Sequence, residues 1–246
     1  MKKVNKVIVF LPAYNEGDSI GEVIRKIPRD FHSAVDVEIM VIDDGCTDRT
    51  KEVSLAAGAD YYISHTENKG LGAAVRTGLE SCYLHGADIA VMIDADNEYP
   101  ADEIPKLIQP LLDDQADYSM GSRFLGTISG MKLHRRLGNY FFTLLQCLLL
   151  RRWIRDGQSG MRAFNRETMR DFEIIHDYNY AQVLTLNLVR KGFRMIEVPI
   201  TYKVRTTGTS FITFKKYLGN VIPGIWNEMR RPVRKIREYP SYDTNE

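Results

Sequence analysis

Residues 91 to 100 read VMIDADNEYP. An apolar run stops at Asp94, and Asp96 and Glu98 follow at every second position. Carboxylates this close repel one another, so the stretch is either a solvated turn or a site that needs a cation. Two other runs stop in a similar way. KVIVFLPA leads into YNEGDS, with Glu16, and VEIMVIDD ends on Asp43 and Asp44. Taken alone, DDG reads as a turn former; the three ends together read as a site. Their ligands are hard oxygens with no His or Cys close in sequence, which fits Mg²⁺ or Mn²⁺ better than zinc. In an extended segment Asp94, Asp96 and Glu98 project to one side. A metal held by one or two of them keeps positions open for phosphate oxygens.

The elements that must position these acids alternate. KVIVFLPA, VEIMVIDD, YYISH and IAVMID read as strands rich in β-branched residues. Between them lie three helical stretches. SIGEVIRKI places Ile20, Val23, Ile24 and Ile27 on one face, with Ser19 as N-cap. TDRTKEVSLAAG closes at Gly58, and GLGAAVRTGLESCYLHG follows. Such alternation implies right-handed β-α-β units and a mainly parallel sheet, with ligands beyond the carboxyl ends of the strands. After Pro100 the sequence predicts a helix around DEIPKLIQPLL and a strand near DYSMGS. A Gly/Ser loop at 126–130 and a long helix from about Gly138 come next. YAQVLTLNLVRKG reads as a further helix and FRMIEVPITYKV as extended chain. There is no internal repeat.

From Ser210 the character changes. Phe211, Phe214, Leu218, Val221, Ile222, Ile225 and Met229 recur at helical spacing, with Lys215, Lys216, Arg230, Arg231, Arg234, Lys235 and Arg237 around them. That composition suits an amphipathic helix on an anionic membrane surface; the alternative is a helix packed on the core with a solvated basic tail. Pro223 is expected to kink or split it. Leu137 to Ile154 is the best candidate for a membrane span. Arg pairs confine it and Asn139, Thr143 and Gln146 interrupt it, so it falls short of the roughly 20 apolar residues a span needs and reads as a buried or interfacial helix.

The bulk numbers narrow the class. The chain has 246 residues, 44% hydrophobic and 26% charged, as for an ordinary globular domain. A formal charge of +1 gives no argument for nucleic acid. Cys46, Cys82 and Cys147 show neither zinc nor disulfide spacing, which favours a reducing compartment. The N-terminal stretch lacks the h-region and cleavage site of a signal peptide. His65, His85, His134 and His176 have no partner spacing and read as structural. The segment PAYNEGDS is neither GxGxxG nor a P-loop, which disfavours dinucleotide enzymes and P-loop ATPases.

LPAYNE, VIDDGCTDRT, NKGLGAAVRTGL, DADNEYP, GSRF and DGQSGMRAF, in this order, resemble the inverting family 2 glycosyltransferases of GT-A fold. Within that family the chain is most similar to polyprenyl-phosphate (dolichyl-phosphate) sugar synthases, from about Lys6 to Ser210. The resemblance implies an α/β, Rossmann-like fold with a mainly parallel sheet. Together with the composition beyond Ser210, it divides the chain into a catalytic domain over 1–210, amphipathic membrane-docking helices over 211–237 and a polar tail over 238–246. It also implies a nucleotide pocket lined by Pro12, Tyr14 and Glu16, with Asp43 on the base and Asp44 beside it. Asp94 would meet the nucleotide, and Asp96 and Glu98 the Mg²⁺ or Mn²⁺ on the diphosphate; related sequences often carry Gln at the third position. Arg123, Arg136 and Arg155 would form the basic half of the cleft. Ser159, with Arg162 after it, would meet the acceptor phosphate, and Arg205 and Ser210 would lie on a loop closing over the donor.

The implied reaction transfers a sugar from a UDP- or GDP-linked donor to polyprenyl phosphate. The protein would be peripheral on the cytoplasmic membrane face, and pairing of two copies through the apolar C-terminal face stays open. A sugar acceptor needs a carboxylate base; a phosphate does not, because its second pKa is near 6. The helix after the SG motif has Gln182 and no acid beyond Asp177, which weakens a soluble or glycan acceptor, the alternative reading. A processive synthase is disfavoured by the lack of a QxxRW-type motif. A nucleotide-binding scaffold without activity is disfavoured by the intact acids.

Overall fold

The computed structural model describes residues 4–30, 35–177, 180–204 and 214–236. Four parallel strands form the N-terminal half: β1 (Lys6–Ala13), β2 (Asp36–Asp43), β3 (Tyr61–Ser64) and β4 (Ile89–Met92). Helices α1 (Ile20–Lys26), α2 (Thr50–Ala56) and α3 (Leu71–Leu84) make the crossovers. Then follow α4 (Ile104–Leu112), β5 (Tyr118–Ser129), α5 (Leu133–Leu150), β6 (Arg162–Asn165), α6 (Arg166–Asp171), α7 (Tyr180–Arg190), β7 (Met195–Lys203) and α8 (Phe214–Arg230). The sheet order is β3-β2-β1-β4-β6-β5-β7. Only β6 runs against its neighbours; β5 and β7 are parallel to each other.

Both faces of the sheet are covered, and this explains the near-continuous apolar strands. Val7, Val9 and Leu11 of β1 point to the α1 and α4 side, where Ile20, Val23, Ile24, Leu107 and Ile108 are buried with them. Ile8 and Phe10 point to the other side, against Val75 and Leu79 of α3 and Leu184 and Leu188 of α7. A third, smaller cluster joins Phe142 of α5, Leu186 of α7, and Val221 and Ile225 of α8.

Four local expectations need correction. The stretch 126–130 is not a loop throughout, because β5 continues to Ser129 and pairs there with Lys203. The register shifts between Ser122 and Thr127. A Cβ on Gly126 would lie 2.1 Å from the Ile200 carbonyl oxygen, so this glycine marks a close backbone approach within a strand rather than its end. Helix α5 begins at Leu133, before Gly138. Helix α8 passes through Pro223 without splitting, held by the buried Val221 and Ile225 and by Glu228, which pairs with Arg190 and Arg231. Ser19 stands at the start of α1 but makes no side-chain cap; its hydroxyl donates to the Glu16 carboxylate at 2.9 Å. Strand β6 and helix α6 have no counterpart in the sequence reading. Among the described residues, no helix is long and apolar enough to cross a membrane.

Candidate active site

Register brings the acids to one edge. In the β1–β2 pair Ala13 lies beside Asp43, and the Asp44 N–H donates to the Ala13 carbonyl at 2.9 Å. In the β1–β4 pair Phe10 lies beside Met92; two residues further along each chain stand Pro12 and Asp94. The antiparallel β4–β6 pair sets Met92 beside Arg162, so the chain after β4 meets the chain before β6. A Cβ on Gly160 would lie 1.9 Å from Asp94 Oδ2. The Asp94 carboxylate is therefore packed on the Gly160 backbone, and DADNEYP and DGQSG form one surface.

The acids themselves are not in an extended row, which corrects the sequence expectation. Asn97 adopts φ 60°, and the Glu98 N–H donates to Asp96 Oδ1 at 3.1 Å. This is the side-chain-to-backbone turn that Asp favours. It turns Glu98 inward, where it is buried. The Tyr202 hydroxyl donates to Glu98 Oε2 at 2.8 Å and Arg135 reaches the same oxygen at 3.5 Å. Asp94 and Asp96 are half-buried. Among the described residues no three His, Cys, Asp or Glu side chains converge as a metal cage. A hard cation taken by one or two carboxylates and completed by phosphate oxygens does not require one.

Positive charge backs this acidic edge. Arg123 is buried and bidentate on Asp156, at 2.7 and 2.8 Å. Arg162 is fully buried, and its guanidinium donates to the Ser159 carbonyl, the Tyr118 hydroxyl, the Ala181 carbonyl and the Thr185 hydroxyl. These partners are all neutral, so the guanidinium is a fixed charge beneath the site. Burial first, then the charges of Asp96 and Glu98, push the Asp94 carboxyl up to about 7 against the pull of Arg162 and Arg123. At Asp43 burial also works upward, but the Cys46 N–H, 2.6 Å away, and the Cys46 thiol hold it below its usual value.

The Asp94 shift has a stability consequence. Between the ordinary carboxylate range and about 7 the native chain holds a proton that the unfolded chain has lost. Stability therefore falls as pH rises through that window. In metal-free protein, Asp94→Asn is expected to remove this fall, so that its Tm advantage over wild type grows from about pH 4 to about pH 8. Thermal melts across that range check it; parallel Tm curves would refute the assignment.

The remaining sequence-identified residues fall into three groups. Tyr14 is exposed beside Asn15, which itself has φ 55° and accepts the Thr47 N–H. Pro12 is buried in β1, and Glu16 is half-buried. Asp44 is committed to structure: it accepts the N–H groups of Lys69 and Gly70 at 2.9 and 2.8 Å and meets His65 at 2.7 Å. His65 bridges on to Thr77, in keeping with its structural reading. On the other side of the cleft, Arg136 is exposed and bonds Tyr140 one turn along α5. Arg155 is exposed, and its N–H donates to Glu197 at 2.9 Å. Ser159 is fully buried, and its hydroxyl accepts the Met161 N–H. Arg205 and Ser210 lie outside the described residues, as do Phe211 and the tail 238–246.

Five residues around the site went unassigned in the sequence reading. Tyr99 accepts the Gly160 N–H at 3.1 Å, and burial pushes its hydroxyl up to about 12. Asp156 anchors Arg123. Glu197 accepts the N–H of Asp156 at 2.8 Å. Tyr202 and Arg135 hold Glu98. Tyr99 and Asp156 belong to the recognised motifs, but their partners lie across strands and only the sheet order reveals them.

A parallel α/β sheet with acids on its carboxyl edge, joined to a second half through one antiparallel strand, defines a GT-A-type glycosyltransferase. The signature described as "Glycosyl transferase family 2" matches residues 8–172, and the chain belongs to that family, whose enzymes are inverting. It is 32% identical over 182 residues to the UDP-N-acetylglucosamine–dolichyl-phosphate N-acetylglucosaminyltransferase of Methanococcus voltae, covering 67% of this chain and 71% of that one. It is 28% identical to the polyprenol monophosphomannose synthase of Mycolicibacterium smegmatis, covering 85% and 82%. Among solved structures it resembles the glucosyl-3-phosphoglycerate synthase of Mycobacterium tuberculosis, crystallised with Mn²⁺, UDP and phosphoglyceric acid. The TM-score is 0.72 at 23% identity, over 93% of this chain and 80% of that one.

Proposed function

We propose that the protein transfers a sugar from a UDP- or GDP-linked donor to polyprenyl phosphate, with Mg²⁺ or Mn²⁺ on the donor side. One observation carries the acceptor. Helix α7, which faces the site through Thr185 and the Ala181 carbonyl on Arg162, holds Gln182 and no acid. A hydroxyl acceptor needs a base there, whereas a phosphate arrives already ionised. The polyprenyl-phosphate relatives agree with this reading.

In this reading Pro12, Tyr14, Glu16 and Asp43 hold the nucleotide, with Asp44 ordering the loop beside it. Asp96 and Glu98 are the metal-side carboxylates, Glu98 also fixing the turn through Tyr202. When bound, the cation supplies charge neutralisation to the departing diphosphate. Asp94 orients the donor from its seat on Gly160. Arg123 and Arg162 lend positive potential from beneath, and Arg136, Arg155 and the Ser159 segment receive the acceptor phosphate. Arg205 and Ser210 belong to the closing loop. Bringing two anions together by fixed charges and orientation is the main work of the site. The 1–210 segment is the catalytic unit. The protein is peripheral on the cytoplasmic membrane face, with the basic and apolar 211–237 segment as one contact beside others.

The test pairs labelled UDP-glucose, UDP-N-acetylglucosamine and GDP-mannose with polyprenyl phosphate or with phosphoglyceric acid, in Mg²⁺, Mn²⁺ or chelator. The expected result is a lipid-linked product from one donor, abolished by chelator. Product on phosphoglyceric acid alone would replace the acceptor assignment.

A further inference from the structure

Helix α5 carries a face that the fold leaves uncovered. Leu133, Leu137, Tyr140, Phe141, Leu144 and Leu148 are all exposed, Leu133 at 71% and Leu148 at 69%. At 3.6 residues per turn they fall within an arc of roughly 100°. Phe142, Thr143, Gln146 and Cys147 of the same helix are buried. Trp153, just past its end, is 72% exposed. Continuous apolar patches of this kind mark interaction sites.

The surrounding charge selects the occupant. No acidic residue occurs between Asp117 and Asp156, while Lys132, Arg135 and Arg136 stand at one end of α5 and Arg151, Arg152 and Arg155 at the other. A second copy docking by the same face, in either direction, would set cations against cations. An apolar stripe between basic ends, with aromatic residues along it, matches an anionic bilayer interface. We propose that α5 lies in the surface of an anionic membrane, and that this helix, more than α8, is the membrane contact. Helix α8 buries Val221 and Ile225 in the protein, and Ile222 and Trp226 are its exposed large apolar side chains among the described residues. The inference deepens the polyprenyl-phosphate reading and rests on it for its purpose. Arg135 of α5 contacts Glu98, so a bilayer on this face puts a lipid headgroup at the entrance to the acidic edge.

The test floats the full-length protein with phosphatidylcholine vesicles, either pure or containing roughly one-third phosphatidylglycerol. Wild type is expected to float with the anionic vesicles, and a Leu137→Glu/Phe141→Glu/Leu144→Glu variant to bind at least about tenfold more weakly. Trp226→Glu is expected to float nearly as wild type. A Trp226→Phe protein retains Trp153 as its single tryptophan, and its emission is expected to shift to the blue on adding anionic vesicles, which reports the contact without disturbing α5. Equal flotation of the α5 variant and wild type, no flotation of wild type, or loss of flotation in Trp226→Glu alone would each overturn the proposal. So would a dimer that the α5 variant splits. Transfer to a short, water-soluble prenyl phosphate is read in parallel. Failure there with flotation intact removes the acceptor reading and leaves the membrane face standing.

Discussion

Asp96→Asn is expected to lower sugar transfer at least about a thousandfold, roughly 4 kcal/mol of transition-state stabilisation, with the fold retained. Both parts follow from the turn. Within the turn Asp96 accepts the Glu98 N–H through Oδ1, and an Asn carbonyl oxygen accepts the same bond. What the amide lacks is the negative charge that holds a cation against a diphosphate. The variant also removes one of the carboxylates that raise Asp94, so the metal-free protein should be no less stable than wild type. Initial rates with saturating donor and cation, beside thermal melts of both proteins, make the comparison. An unchanged rate would sink the metal-side assignment of Asp96. A lost rate with a lost fold would show that the turn, and not the charge, is what Asp96 supplies.

The second large effect is on stability. Asp156→Ala is expected to cost about 3–5 kcal/mol, because it leaves the buried Arg123 without the carboxylate that holds both its Nε and one terminal nitrogen. Asp156 also accepts the N–H groups of Arg123 and Gln158, so the loss loosens β5 and the DGQSG turn together. Replacing both partners by apolar residues, Arg123→Met with Asp156→Leu, should recover a large part of the loss, since no orphaned charge remains. Denaturant unfolding of Arg123→Met, Asp156→Leu and the double variant, beside Asp156→Ala, closes the cycle. An Asp156→Ala protein within about 1 kcal/mol of wild type would mean that the pair is not load-sharing in the way its geometry indicates.

The first hundred residues were legible because local pattern and sheet order agree there. Each of β1 to β4 is a short apolar run, and each is hydrogen-bonded to a strand whose crossover helix was also visible. The three acidic ends met at one edge for that reason. Legibility fell where a strand is too short and too polar to signal itself. Strand β6 has four residues, one of them Arg162, and nothing in RAFN signals that it will enter the sheet between β4 and β5. Without β6 there is no reason to seat Gly160 on Asp94 or to bury Arg162. The extended reading of Asp94–Glu98 failed at Asn97, because a left-handed residue reverses the alternation on which the one-sided row depended. The periodicity of α5 reads equally well as a buried or an interfacial helix until the fold shows which face is covered.

The lone antiparallel strand also sets an order of events during synthesis. The first four strands emerge early and can assemble as β3-β2-β1-β4 with their own helices, as N-terminal units do on the ribosome. Strand β4 then waits with one edge open, and β5 waits with no neighbour, until residues 162–165 arrive to fill the gap between them. An open edge strand is exposed to wrong partners meanwhile. The β1–β4 half is thus expected early in folding and the completed cleft late. Asp94 meets Gly160, and Arg162 takes its place beneath it, only in the step that closes the sheet.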